Sequence, residues 1–418
     1  MTDLSVDAPL LTGRSPELSI NGKVAALAAA ILFAGATALM ATISWRQGAL
    51  YLLGGALGVS LYHALFGFTS AWRVFIADRR GAGLRAQMIM LAIAVVLFFP
   101  ALSQGVLLGQ PVHGEYGAVG IGMLTGAFLF GVGMQLGGGC ASGTLYSVGG
   151  GNTRMLVTLA AFIAGSTLGA KHLPWWSALP NIGAVPLIER FGMPVALFLS
   201  LALMAVVFAA TVWLERRRHG RLIPGAQSPV HGWRRFVQGP WPLVWGAVAL
   251  ALGNFATLYL AGRPWGITSA LALWGSKILL FAGVDVAAWP FWQGARAATL
   301  QQNIFHDVTS VMDFGIMAGA LLAAALAGKF RPVWRIQARS ALGAILGGLL
   351  LGYGARLAYG CNIGAYFSGI ASGSLHGWCW VVAAFVGSII GTRLRPLFGL
   401  SVEYRSDEQS APAATRAA

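Results

Sequence analysis

Apolar residues run along this chain in long unbroken windows, separated by short polar or basic stretches. The windows cover 24–44, 48–72, 86–103, 118–136, 155–170, 194–214, 242–260, 268–281, 316–327, 340–357 and 375–390. A helix needs about 17–25 mostly apolar residues to cross a bilayer, so the longer windows predict full spans and the shorter ones tilted or interrupted half-spans. A transmembrane barrel would instead show alternating segments of roughly ten residues, which this pattern lacks. The expected fold is an all-α integral membrane protein with about nine to eleven transmembrane helices. Composition agrees: of 418 residues, 57% are hydrophobic and only 10% charged, far from the usage of a soluble globular chain.

Polar punctuation divides the chain. Residues 1–22 carry Asp3, Asp7, Pro9, Pro16 and Glu17 and read as a flexible N-terminal tail. Without a basic n-region, the window that follows is expected to be a retained span and not a cleaved signal. A first membrane half covers 23–214, a basic Pro- and Gly-containing linker 215–239, and a second membrane half 240–400. The polar, Ala-rich stretch 401–418 reads as a disordered tail. The stretch 293–313, with Arg296, His306, Asp307 and Asp313, is too polar to span alone. It is expected at the interface or re-entrant, with Arg296 and Asp307 paired.

A net charge of +15 would point to nucleic acid in a soluble protein. Here the charges cluster in short inter-helix loops, around Arg79–Arg80–Arg85, Arg216–Arg218 with Arg234 and Arg235, Lys329–Arg339, and Arg393–Arg395. That is the positive-inside pattern, so the partner is the lipid bilayer and no nucleic acid is expected. With all four clusters cytoplasmic, the helix ending near Gln135 runs inward and the one ending near Arg356 runs outward. Lys171 and Arg190 are the exceptions to this scheme.

Those two helices are related. Gly122, Gly126, Leu129, Gly131, Gly133, Leu136, Gly139, Cys140, Gly143 and Ser147 all recur as identical residues 221 positions later. The chain is an internal duplication, and opposite orientation of the copies would make it two inverted-repeat halves. In secondary transporters of that design the site lies where the repeats meet, at interrupted helices. The glycines before each break suit close helix approach. The run 137–139 and Gly360 instead favour unwinding, which frees backbone groups that are tolerated only inside protein or along a wet cavity. These are re-entrant glycine-rich breaks at the centre of the fold. Gly143 and Gly364 then suit the start of short half-helices whose N-termini favour an anion.

Each break holds a thiol, Cys140 or Cys361. Neither has a Cys/His cluster at ligand spacing, so no metal site is expected. No cofactor motif is present either, and neither an ATP-binding motif nor a chain of intramembrane proton carriers can be read. A thiol is a weak, soft, polarizable donor. Paired thiols near half-helix N-termini therefore fit a soft anion better than a hard oxyanion, which backbone N–H groups, Arg or Lys would serve. Cys379 lies in an uninterrupted window and reads as a small core hydrophobe. Arg356, which corresponds to Gln135, reads either as an anion-attracting charge at the path or as a snorkelling side chain. Asn362 and Ser142 either cap the half-helices or meet substrate, with capping the simpler role. His63 either faces the path or bonds a neighbour. A catalytic thiol needs an adjacent base. No His lies near Cys140 in sequence, so transport is expected and enzyme activity is not.

The segments GGGCASGTLYSVGGGN and YGCNIGAYFSGIASGS resemble the two signature segments of the YeeE/YedE family, over about residues 49–395. The resemblance implies a multi-pass protein of the bacterial inner membrane, pinched at its centre. It implies uptake of thiosulfate handed between cysteine thiols, and a small cytoplasmic sulfur carrier of sulfurtransferase type as partner. Cys140 and Cys361 match two of the family's conduit cysteines. Members typically carry another Cys in a segment resembling GFCFTSAFR. Here the segment is LFGFTSAWR, with Gly67 in that place, so the expected relay has two stations. The alternatives that follow are another sulfur or selenium species as cargo, or a sulfur relay through a persulfide on Cys140 or Cys361.

Overall fold

In a computed structural model of the chain, residues 20–223 and 232–402 are described. The expected tails at 1–22 and 401–418 lie outside the described residues except for 20–22 and 401–402, and so do 224–231 of the linker. The helices are α1 (Gly22–Thr42), α2 (Trp45–His63), α3 (Phe68–Asp78), α4 (Ala82–Gln104), α5 (Ile121–Gly137), α6 (Ala141–Gly149), α7 (Thr153–Ser177), α8 (Leu187–Phe191) and α9 (Met193–His219). They continue with α10 (Trp233–Gln238), α11 (Leu243–Ala261), α12 (Thr268–Phe281), α13 (Ala295–Gln301), α14 (Val308–Leu326) and α15 (Ala338–Leu357). A π-helical stretch (Asn362–Ser368) runs into α16 (Gly369–Ala371), and α17 (Leu375–Leu394) follows. Among the described residues, 10 helical segments are long and apolar enough to cross a membrane, within the expected range.

Local chemistry sets many of the helix starts. Asn21, Ser44, Asn152 and Asp307 each accept a hydrogen bond from a backbone N–H of the first turn. Two short antiparallel pairs, Val106–Leu107 with Gln110–Pro111 and Ala118–Gly120 with Asn181–Ala184, tie loops at the end away from the basic clusters.

Three sequence boundaries move. The window 48–72 is cut at 64–67, where Leu65 takes a positive φ of 47° and α3 starts anew. The first residues of the expected linker, 215–219, instead complete α9. There Glu215 is fully buried, accepting from Gly81 N, Ile223 N and Arg85, so the carboxylate holds the helix end in place. The polar stretch 293–313 splits: 295–301 form α13 and α14 begins at Val308, which carries Asp313 into a spanning helix. Asp307 caps α14 through Ser310, and Arg296 lies over the Phe291 ring at 4.7 Å, so the expected pairing of those two charges is replaced by a cap and a cation–π contact.

The two copies of the repeat cross on their glycines. A Cβ at Gly126 would lie 2.7 Å from Gly354 O, and one at Gly133 would lie 2.8 Å from Gly347 O. In the duplication, 126 corresponds to 347 and 133 to 354, so each glycine touches the counterpart of the other. Contacts of that kind require α5 and α15 to run antiparallel where they meet. The outer flank is matched as well: Gly165 of α7 abuts Leu349, and Gly387 of α17 abuts Phe128. The halves do not sit side by side as separate bodies. α2 packs on α14, α5 on both α15 and α17, α7 on α15, and one core joins residues of both.

Candidate functional site

α5 stops at Gly137, and Gly138 takes φ +91°. Cys140 is then the N-cap of α6. α15 stops at Leu357, Tyr359 and Gly360 take φ of 60° and 152°, and Cys361 is the N-cap of the π-helical stretch. The matched breaks put both thiols at the same structural position, the N-cap of a short helix, and both are buried. Each break leaves and returns at one end of a long helix. Gly137 O accepts from Arg154 while Asn152 caps the same end of α7, and Tyr359 rests on His376 at the start of α17.

The glycines divide into two kinds. Gly139 and Gly360 are crowded; a Cβ at Gly360 would lie 2.9 Å from Ala365 N. Gly143 and Gly364, one turn into each short helix, are not crowded. A Cβ at Gly143 would meet only Cys140 Sγ, at 3.5 Å, and one at Gly364 nothing nearer than 3.9 Å. At both positions an added methyl group would fit beside the break. Cys140 Sγ lies 3.3 Å from Ser142 Oγ, and Ile363 N donates to Cys361 Sγ at 3.4 Å. All three cysteines are free, and Cys379 sits half-buried on α17.

The capping role expected of Asn362 is taken by Cys361 itself. Asn362 is fully buried with neither amide atom hydrogen-bonded among the described residues. Ser142 does not cap either and faces the Cys140 sulfur. Gln135 is buried, donating to Thr69 O while its Oε1 has no partner among the described residues. Its own carbonyl accepts from Arg395, so one member of the last basic cluster reaches into the bundle. His63 is buried against Trp241 and Gly239 at the end of α2, apart from both breaks.

Two polar cavities flank the thiols at the two ends of α15, a helix about 30 Å long at 1.5 Å per residue. One, of about 210 Å³, is lined by Gly360 and Gly364 together with Arg263, Arg296, Arg356 and Glu115. Arg356 lines this cavity and lies over the Phe291 ring at 5.4 Å. Burial raises the Glu115 carboxyl above its ordinary range, against the pull of Arg263 and Arg356. The other cavity, of about 720 Å³, is lined by Tyr146 and Ser147 of α6 with Arg154, Lys329, Arg331 and Arg335. Phe68, Trp72, Tyr366 and Trp380 form a buried aromatic cluster, with Tyr366 and Trp380 stacked at 6.3 Å.

Gly67 is the N-cap of α3 at φ −107°, an ordinary extended conformation, so its lack of a side chain is not a backbone requirement. A Cβ there would point at Ser70 Oγ and lie 3.7 Å from Tyr146 Oη, beside α6. Its counterpart is Gly266 at the start of α12, whose Cα is 4.0 Å from the Cβ position of Gly364. The signal was in the chain: Gly67, Thr69, Ser70 and Ala71 recur as Gly266, Thr268, Ser269 and Ala270. Asp313, Glu115, Arg263 and the inward role of Arg395 had no such signal, because each is defined by helices distant in sequence.

Buried glycine breaks, apolar spans and flanking basic cavities define a multi-pass helical membrane protein with an anion-compatible interior. The chain belongs to the sulphur-transport family, whose model matches residues 63–390. It is 27% identical over 355 residues to "Thiosulfate transporter TsuA" of Spirochaeta thermophila, covering 81% of this chain and 95% of that protein. TsuA of Escherichia coli K12 is 26% identical over 351 residues, covering 80% and 91%. "Probable transporter YedE" of Escherichia coli K12 is 31% identical over 189 residues, 44% of each chain. The chain thus spans under half the length of the YedE relatives it matches, 46% for the one from Salmonella typhimurium.

Proposed function

We propose that this chain takes up a small inorganic sulfur anion, thiosulfate foremost, along a path through the two Gly-Cys breaks. Cys140 and Cys361 serve as transient soft ligands. The observation that carries this reading is the matched pair of buried N-cap thiols, each followed one turn later by an uncrowded glycine, Gly143 or Gly364. A thiol at the first turn of a short helix presents soft sulfur where backbone N–H groups favour negative charge. Such donors hold an anion weakly enough to release it, as conduction requires. The two TsuA relatives, matched over nearly their whole length, are named for thiosulfate and support that cargo.

The antiparallel crossing of α5 and α15 supports an inverted repeat whose halves meet at the path. We assign the Arg263–Arg296–Arg356 cavity to the outer face and the Arg154–Lys329–Arg335 cavity to the cytoplasm, following the basic loops. The larger, inner cavity is then where a small sulfur-carrier protein would receive the cargo. A persulfide relay is less supported: the nearest polar partner of Cys140 is a hydroxyl and that of Cys361 an amide, and neither is a base.

Uptake of labelled thiosulfate into proteoliposomes tests the reading with wild type, Cys140→Ser and Cys361→Ser. Serine keeps size and a donor but loses soft sulfur. Each variant is expected to lose about tenfold in uptake, equivalent to ~1.4 kcal/mol of lost stabilisation. Unchanged uptake in both would remove the thiols from the path. Mass spectrometry during turnover separates transient coordination, which leaves the thiols unmodified, from a persulfide, which adds a sulfur atom.

A further inference from the structure

Asp313 lies in the second turn of α14, fully buried, and neither carboxylate oxygen has a hydrogen-bond partner among the described residues. A buried carboxylate without partners is costly inside a membrane protein and marks a functional position by default. Its helix face connects the two ends of the site. One turn before it, the Thr309 hydroxyl accepts from Arg263 and Ser269, both lining the outer cavity. One turn after it, Met317 O abuts Gly149 at the end of α6, the helix that Cys140 begins.

We propose that Asp313 is a proton-carrying site that couples anion uptake to proton entry. This rests on the sulfur-anion reading above. The carboxylate takes a proton from the outer side, through the Thr309–Ser269 hydroxyls, and releases it inward. One proton enters with each anion, and no bond to sulfur is made or broken. An anion moving inward is opposed by a negative-inside potential, and an accompanying proton offsets part of that opposition. A metal cation in the same role would need several oxygen ligands around it. Asp313 stands alone, with no cluster of three acidic, His or Cys groups among the described residues.

The other titratable groups around α14 are accounted for. On α14 itself Asp307 is engaged as the N-cap by Ser310. From α2, Arg46 bonds Gln110 and Tyr51 bonds Ile31 O, while Tyr62 and His63 lie at that helix's other end; from α12, Lys277 bonds Leu300 O and Gln302 O. Tyr146 of α6 lines the inner cavity, and His306 precedes the N-cap. Lys23 of α1 and Arg234 and Arg235 of α10 belong to the opposite, basic end. Glu115 titrates in the outer cavity, so the test is run in a Glu115→Gln background as well as in wild type.

Purified protein is reconstituted with the membrane potential clamped at zero, and labelled thiosulfate accumulation is followed with and without an inward proton gradient. With one proton per anion, a one-unit gradient raises the final inside-to-outside ratio about tenfold, the equilibrium worth of one pH unit. That rise is expected in wild type, Glu115→Gln and Asp313→Glu. It is expected to vanish in Asp313→Asn, whose gradient-free exchange of labelled for unlabelled thiosulfate persists. Accumulation that ignores the proton gradient in wild type, follows a sodium gradient instead, or survives in Asp313→Asn overturns the proposal. Wild-type exchange with no gradient response sinks the coupling alone, whereas absence of exchange sinks the sulfur-anion reading with it. If Asp313→Asn does not fold, Asp313→Ser and Asp313→Cys take its place: loss of the gradient response with exchange intact is expected, and survival of the response in either overturns the proposal.

Discussion

Cysteine is a poor helix cap beside Ser, Asp or Asn, yet both short helices begin on one. Substitution by Ser would therefore improve the cap if stability were the only demand at 140 and 361. Asn362 makes the same argument more sharply, since its amide is buried with no partner among the described residues. An unsatisfied buried polar group costs about 1–3 kcal/mol. Asn362→Leu should raise the thermal midpoint of the detergent-solubilised protein while lowering thiosulfate uptake severalfold. Loss of both stability and uptake would instead make the residue a structural one.

At the scale of elements, the glycines separate packing from function. At the α5–α15 crossing, a Cβ on Gly347 would collide with the backbone at Gly137. Gly347→Leu overpacks that contact and should cost about 1–3 kcal/mol or abolish folding, read as loss of the monodisperse solubilised protein. Gly143→Ala is expected to behave in the opposite way. Its Cβ meets only the Cys140 sulfur at 3.5 Å, and Ala is the better helix former by roughly 1 kcal/mol. Stability should hold or rise, while uptake falls because the space beside the thiol is filled. Equal uptake to wild type would show that the volume at Gly143 is not used by the ion.

At the scale of the molecule, the two cavities differ in what titrates. The outer one joins three guanidinium groups to a single carboxyl, Glu115. Because burial raises that carboxyl above its ordinary range, lowering the pH neutralises it early and leaves the cavity more positive. The apparent KM for the anion should fall as pH falls, and Glu115→Gln should flatten that dependence. The stability sign follows from linkage. With the folded value above the unfolded one, the contribution of Glu115 is fully present below about pH 4.3 and is lost as pH rises through the raised value. Thermal midpoints of wild type and Glu115→Gln should accordingly diverge with rising pH, the variant being the more stable. A constant difference would show that Glu115 is not destabilised by burial.

Much of this was written in the chain itself. Continuous apolar windows determined the helical membrane class, because a span needs its length and its apolar surface wherever its neighbours lie. The 221-residue repeat located both breaks and both thiols, since glycine unwinding and capping are local events. The tertiary structure alone decided what each polar residue does. Asp313 read as interfacial because its neighbours Asp307 and His306 are polar, yet the Asp307 cap starts α14 early enough to bury it. Asn362 read as a cap because Asn usually is one, until Cys361 was found in that place. Glu115, Arg263 and Arg356 meet in one cavity from segments far apart in sequence. Periodicity reports which elements form, whereas burial, pairing and proximity depend on which elements pack together.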